Sequence, residues 1–377
     1  MERSIILDDL LKDGFSLKYA NFYLRIVEKE NNNKLFDKEY TQWAHSKGFL
    51  ASWAGYYGLT EQNYKDYLSD YDFYRVWPLN DWTKIWVNDK LTLKFLLQGT
   101  SLECLMPQYY YYSTREQLRC LPDTRNDNSI DGFIKTLKDV GSFACKPNNG
   151  TMSQGFFRLS YENGIFFIND KEVPVSDIKD FVATHPNYIF TEYLVPSSFF
   201  RSMNPLIHTI RINTINKNGN DPKIIGAWVR IPTNKTIDVN RADLGDPQNF
   251  NLITRIDIES GMLCDSKLAY ANYLVDTDKH PDTGVELTGK IKNWDILKQQ
   301  ILEFCSRYGT LEFLGFDFGA TDDGFKCMEV NTHPGIMYDQ MYLPWMKDEF
   351  IGDYFKKKID AIDNMSQNEK TARNSIR

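Results

Sequence analysis

Leu314-Gly-Phe-Asp-Phe-Gly-Ala-Thr-Asp-Asp-Gly-Phe-Lys-Cys-Met-Glu-Val-Asn331 reads as two apolar strands around a turn. Asp322, Asp323 and Gly324 fit a three-residue hairpin loop with glycine in the left-handed position. That register sets Asp317 directly opposite Glu329, and cross-strand neighbours lie about 4.5–5.5 Å apart at Cβ. Glu329 and Asn331 are two residues apart and share a face with Asp317. Two carboxylates and an amide oxygen therefore converge on one side of a sheet, where like charges repel unless a cation sits between them. Magnesium takes hard oxygen ligands and is commonly held by one or two carboxylates plus substrate phosphates. A solvated acidic face is the simpler alternative. It fits poorly here, because the rest of the hairpin (Phe313, Leu314, Phe316, Phe318, Met328, Val330) is apolar. Asp317, Glu329 and Asn331 are the expected metal ligands.

Three weaker signals lie upstream. In Phe143-Ala-Cys-Lys-Pro-Asn-Asn-Gly-Thr-Met-Ser-Gln-Gly-Phe-Phe157 a lysine ends one strand, and a small polar loop leads into the next. Such a loop can offer backbone N–H groups to phosphate oxygens, with Lys146 as a point charge; an ordinary hairpin looks similar. It is not a Walker A loop, since no Gly-Lys-Ser/Thr follows and no helix opens there. In Val87-Asn-Asp-Lys-Leu-Thr-Leu-Lys, Lys90 and Lys94 fall on one side of a helix, which by itself reads as a solvated basic face. Phe190-Thr-Glu-Tyr-Leu194 embeds Glu192 in an apolar strand, where it needs a ligand or a buried ion pair.

The 377 residues suffice for two or three domains. From Met1 to about Leu97 the pattern is mainly helical and rich in aromatics, and Trp43, Trp53, Trp77, Trp82 and Trp86 read as core residues rather than a sugar-stacking surface. Strands and helices then mix without a fixed repeat, an α+β class. Expected strands include Ser142 to Lys146, Phe156 to Tyr161, Tyr188 to Leu194, His208 to Asn216, Lys223 to Ile231 and Asn251 to Asp257. Expected helices include Phe133 to Val140, Trp294 to Tyr308 and Tyr342 to Ile362. The polar tail from Ser366 is expected to fray. A net charge of −7 argues against nucleic-acid binding. No apolar run is long enough for a membrane span, and no signal-peptide core opens the chain. Six scattered cysteines without a CxxC pair read as reduced thiols in the cytoplasm, with no zinc site.

Taken in chain order, these pieces resemble ATP-grasp enzymes. "NDKLTLKFLLQG" and "MEVNTHPGIM" are similar to segments of D-alanine–D-alanine ligases. "HTIRINTI" (208–215), "HPDTGVELTGKIKNWD" (280–295) and "FLGFDFGATDDGFKCMEVN" (313–331) look more like the sugar-transfer-associated ATP-grasp family of polysaccharide assembly. The resemblance runs from about Val87 to Gln340. It implies two α+β lobes clamping ATP: a helical pre-ATP-grasp region at 1–115, a small lobe at 116–194, a large lobe at 195–363 and a flexible tail at 364–377. It assigns Lys90 and Lys146 to the ATP phosphates, and Gly150 to Gly155, with Ser153, to a loop closing over them. Glu192, Tyr193 and Leu194 become the hinge facing adenine. Asp317, Glu329 and Asn331 hold Mg2+, while Arg211 and, with a weaker match, Arg230 offset charge on the transferring phosphoryl group. Two departures concern the ribose contact, which the first leaves unassigned, and the acceptor side, which the second touches. The Gly-x-Glu that D-alanine ligases place after the hinge is absent, and the family's Asp-Asn then Gly-Gly appears here as Asp238-Val-Asn240 and Asp243-Leu-Gly245.

The implied reaction activates a carboxylate as an acyl phosphate, which an amine then attacks to form an amide. The implied substrates are a small-molecule acid and amine, free or linked to a nucleotide sugar or glycan, in capsular or other surface polysaccharide synthesis. A small-molecule or sugar kinase on the same scaffold, and a non-catalytic ATP-binding subunit of a polysaccharide assembly complex, are the competing readings. No Ser–His–Asp or Cys–His nucleophile is evident, and His208 and His333 read as structural histidines.

Overall fold

The computed structural model describes residues 6–150, 155–238 and 241–376. It contains two large antiparallel sheets. The first is built from β1 (Tyr109–Ser113), β2 (Leu118–Cys120), β3 (Ser142–Pro147), β4 (Phe157–Glu162), β5 (Ile165–Ile168), β6 (Lys171–Val173) and β7 (Tyr188–Glu192), in the order β2-β1-β7-β3-β4-β5-β6. Helices Ile130–Val140 and Val175–Thr184 supply Phe133, Leu137 and Ile178 to a core shared with Phe143, Leu159 and Phe190. The Ser129 hydroxyl starts the first of these helices by accepting a hydrogen bond from Gly132 N–H.

The second sheet takes β8 (Thr209–Lys217) and β9 (Asp221–Ile231). After a small separate pair, β10 (Thr236–Asp238) and β11 (Arg241–Ala242), it continues with β12 (Asn251–Ile256), β13 (Met262–Ala269), β14 (Leu274–Asp276), β15 (Gly289–Lys290), β16 (Phe313–Thr321) and β17 (Gly324–Asn331). The order is β14-β13-β12-β9-β8-β16-β17, with β15 on β13. Alternation divides β16 between two faces. Leu314, Phe316 and Phe318 pack with Leu297, Ile301 and Phe304 of helix Trp294–Arg307. Phe313 and Asp317 point the other way, and Phe313 joins a core with Phe15, Tyr23 and Phe73 of the N-terminal helices and Trp345 and Phe355 near the C-terminus. Further along the same sheet, Trp228 and Ile253 pack against Phe49, Ala54, Tyr56 and Tyr57. The N-terminal helices thus cover part of the sheet face that carries Asp317.

Several sequence expectations change. The hairpin closes through two residues, with Thr321 paired to Gly324, and a bulge at Met328 restores the pairing of Asp317 with Glu329. The run Tyr109–Tyr112 is a sheet strand, so the first sheet begins before the 115/116 boundary expected from sequence. The helix expected from Tyr342 starts only at Glu349, after Pro344, and is capped by Asp348, which accepts from Phe350 and Ile351 N–H. The tail forms helix Gln367–Asn374, opened by a capping box between Ser366 and Glu369. Its Arg373 donates to the Gly14 carbonyl at 2.8 Å and to those of Arg75 and Trp77, contacts invisible to composition. Trp77 is buried, but Trp82 is 58 % exposed and Trp86 36 %, so these two are not core residues. All six cysteines are free. Among the described residues no helix is long and apolar enough to cross a membrane.

Candidate active site

The cleft between the two sheets begins at helix Lys90–Leu97. Asp89 caps it, its Oδ1 accepting from Thr92 N–H at 2.8 Å. The other oxygen, Oδ2, accepts from the side-chain amides of Asn148 at 2.5 Å and Asn149 at 2.9 Å. Asn148 Oδ1 in turn accepts from Leu91 N–H at 2.9 Å. The helix and the loop after β3 are therefore knotted together, and Lys90 Nζ donates to the Gly150 carbonyl at 2.7 Å. Lys94, one turn on, takes no part in the cleft. Its ammonium is paired with Asp123 at 2.7 Å.

Lys146 reaches the cleft from β3 without any hydrogen bond or ion pair to the described residues. Burial, with Lys90 alongside, pushes its pKa down to about 8, while Glu329 opposes that shift. Burial also lowers the pKa of Lys90, offset by Glu329, Asp89 and Asp317. The cleft has about 890 Å³ of empty space open to solvent, and its wall includes Lys90, Lys146, Gly150, Glu192, Tyr193, Leu194, Asp317 and Glu329. Apolar groups (Ala144, Phe156, Leu194, Ile207, Met328) complete it, a mixture of apolar surface and few convergent charges typical of small-molecule sites.

The large sheet presents its polar groups as a row. Strand register sets Trp228 of β9 opposite Arg211 of β8, Arg211 opposite Asp317 of β16, and Asp317 opposite Glu329 of β17. Directly opposite residues share a face, so the four side chains line up across four strands. Arg211 holds Asp317 in a two-pronged ion pair, Nε to Oδ1 at 2.6 Å and a terminal nitrogen to Oδ2 at 2.9 Å. Asn331 Nδ2 donates to Asp317 Oδ2 at 3.0 Å. The Glu329 carboxylate has no such partner among the described residues. Burial raises its pKa, Asp317 adds to that, and Lys90, Arg211 and Lys146 pull it back. Among the described residues no group of three or more His, Cys, Asp or Glu side chains gathers to hold a metal. A magnesium ion here would rely on two carboxylates, the Asn331 amide and oxygens from outside the protein, a donor set suited to that ion.

Other expected residues are placed as follows. Glu192 ends β7, half-buried rather than embedded, and accepts from Gln108 N–H at 3.1 Å; among the described residues it is not in a buried ion pair. Arg158 lies 4.8 Å from the Tyr193 ring. Gly155 is not part of the cleft wall; its φ of +75° and the Tyr188 hydroxyl, 2.6 Å from an added Cβ, are what demand glycine there. Arg230 lies 5.7 Å from the Trp228 ring and 5.6 Å from that of Tyr338, on the row's side away from Glu329. Ser153, Val239 and Asn240 lie outside the described residues. His333 stacks on Phe73 at 4.0 Å, and His208 Nδ1 bonds the Leu206 carbonyl at 2.9 Å, so neither faces the cleft. Sequence reasoning missed Asp89, Asn148, Trp228 and Asp339. Only Asp89 left a local signal, as an N-cap directly before an apolar helix.

A family model described as sugar-transfer associated ATP-grasp matches residues 79–344. No curated protein sequence matches the chain. Solved structures with a similar fold include D-alanyl-alanine synthetase A of Vibrio cholerae O1 biovar eltor (14% identity, 74% of this chain and 66% of that one, TM-score 0.42). D-alanine–D-alanine ligase of Bacillus anthracis, complexed with ATP, matches at 12% identity over 76% of this chain and 68% of that one, TM-score 0.35. The biotin carboxylase domain of Hydrogenobacter thermophilus 2-oxoglutarate carboxylase matches at 11% identity over 74% and 46%, TM-score 0.38. The chain thus spans 66% of the length of the first of these and under half of the third. With the family model covering well over half of its residues, this chain belongs to the sugar-transfer associated ATP-grasp family.

Proposed function

We propose that the chain is an ATP- and magnesium-dependent ligase that joins a carboxylate to an amine through an acyl phosphate. The observation that carries this reading is one cleft in which two lysines of the small-lobe side face two carboxylates of the large sheet. Lys146 and Glu329 both enter it without a partner among the described residues. Half-buried charges left in that state are costly unless a ligand completes them. A polyphosphate would complete the lysines, and a divalent cation the acids.

In this reading Lys90 and Lys146 bind the phosphates, and Gly150 keeps Lys90 in place through its carbonyl. Glu192, Tyr193 and Leu194 form the hinge against the base, with Ala144 and Met328 lining the apolar slot. Glu329, Asp317 and Asn331 would hold magnesium, whose chemistry is to neutralise charge on the β- and γ-phosphates. Arg211, fixed by Asp317, offsets charge as the γ-phosphoryl group passes to a carboxylate oxygen and ADP departs. An amine then attacks the acyl carbon, inorganic phosphate leaves, and an amide remains. The family's description as sugar-transfer associated supports a sugar-linked substrate; in this reading the acid is a sugar acid or amino acid of surface polysaccharide synthesis, and the use of ATP supports a cytoplasmic setting.

The test is ADP release from MgATP with a panel of uronic and amino acids, with hydroxylamine present. ADP accompanied by the matching hydroxamate identifies the acid and establishes acyl transfer. ADP without hydroxamate would replace the ligase by a kinase.

A further inference from the structure

Asp339 is a buried carboxylate that the reaction above does not use. It sits on helix Met337–Gln340, 4 % exposed, over the face of the large sheet that carries the Arg211–Asp317–Glu329 row. Space for it exists because Gly226 lacks a side chain: a Cβ there would lie 2.0 Å from Asp339 Oδ1. Asp339 Oδ2 accepts from Asn213 Nδ2 at 2.7 Å and from the indole N–H of Trp228 at 3.3 Å, and Oδ1 has no hydrogen-bond partner. Burying a carboxylate against neutral donors alone is unfavourable. Burial pushes its pKa up to about 6, opposed by the Trp228 and Asn213 donors and then by the nearby positive charge of Arg211.

The indole it holds is shared. Arg211 lies 5.4 Å from the Trp228 ring and Arg230 lies 5.7 Å from it, so one aromatic plate carries both arginines next to the carboxylate row. Tyr338 meets that plate edge-on at 5.1 Å and Tyr56 of the N-terminal helices stacks behind Tyr338 at 6.3 Å.

We propose that Asp339 and Trp228 are positioning residues: Asp339 locks the indole, and the indole sets Arg211, the partner of Asp317, beside the cleft where the phosphoryl group is transferred. This rests on the ATP-dependent transfer reading above. Small displacements of such groups cost far more in the transition state than in nucleotide binding.

The probe is MgADP with and without fluoroaluminate, a mimic of the phosphoryl group in transfer. Fluoroaluminate should tighten MgADP binding to the unaltered protein; if it does not, the transfer reading fails and this inference with it. If it does, Asp339→Ala should bind MgADP alone within about twofold of normal and weaken the fluoroaluminate complex by about ten- to a hundredfold. Asp339→Asn keeps an oxygen for both donors and should recover most of the loss. Trp228→Phe keeps a ring but lacks the N–H, and should show the same selective loss even if Asp339→Ala does not fold. Normal fluoroaluminate tightening in Trp228→Phe, or equal losses of both complexes in the variants, would overturn the positioning role while leaving the transfer reading intact.

Discussion

Among the described residues of the cleft wall, Glu329 and Lys146 are the charged side chains left for a ligand to complete, and each has a distinct signature. Glu329→Gln keeps size and removes one charge from the pair facing the cleft. It should reduce ADP release at saturating MgATP by about a hundredfold or more, with the melting temperature unchanged or raised because a half-buried, unpaired charge is lost. Near-normal turnover would remove Glu329 from the metal set. Lys146 should report itself by protons. With a pKa of about 8 in the free protein it is roughly half charged at pH 8, and phosphate oxygens favour its charged form. MgADP binding at pH 8 should therefore take up protons, and affinity should fall as pH rises above 8. Calorimetry in buffers of different ionisation enthalpy reads the uptake, and Lys146→Ala should abolish it. An unchanged uptake in that variant would place the titrating group elsewhere.

At the scale of elements, the row across β9, β8, β16 and β17 depends on two irregularities. The bulge at Met328 shifts the register after a two-residue turn, so that Asp317 and Glu329 still meet. Gly226 on β9 leaves the gap that Asp339 enters. Gly226→Ala should destabilise the protein by about 1–3 kcal/mol, seen as a lowered melting temperature, and should weaken fluoroaluminate trapping as Asp339→Ala does. An unaltered melting temperature would show that the Asp339 helix yields easily. The hairpin of β16 and β17 was legible because strand alternation is a local property: apolar neighbours every second residue mark the two acids as misplaced unless used. The bulge was not, since its cause lies in pairing rather than in the run Cys327-Met-Glu329. The Lys90 segment was legible as a helix but not as part of the cleft, because its link to Asn148 and Gly150 joins residues almost sixty positions apart.

The whole molecule differs from the division that the sequence suggested. The family match begins at residue 79, yet Phe15, Tyr23 and Phe73 share a core with Phe313, Trp345 and Phe355. Asn80 ties the same region down, donating to the carbonyls of Phe313 at 2.7 Å and Thr332 at 2.8 Å and accepting from Phe313 N–H at 3.0 Å. A chain starting at residue 79 should therefore fail to fold cooperatively, because it would expose that core. A sharp thermal transition in such a fragment would show the helices to be an accessory. Local sequence determined the hairpin, its three candidate ligands and the lysine before the glycine loop, since alternation, turn residues and misplaced charges are set by neighbours along the chain. Only tertiary structure decided that Arg211 clamps Asp317, that Lys94 is a structural ion pair, that Trp228 carries two arginines, and that the aromatic N-terminus covers the same sheet face. Those contacts join residues far apart in the chain, and neither charge nor hydrophobicity in one segment specifies which distant partner it will meet.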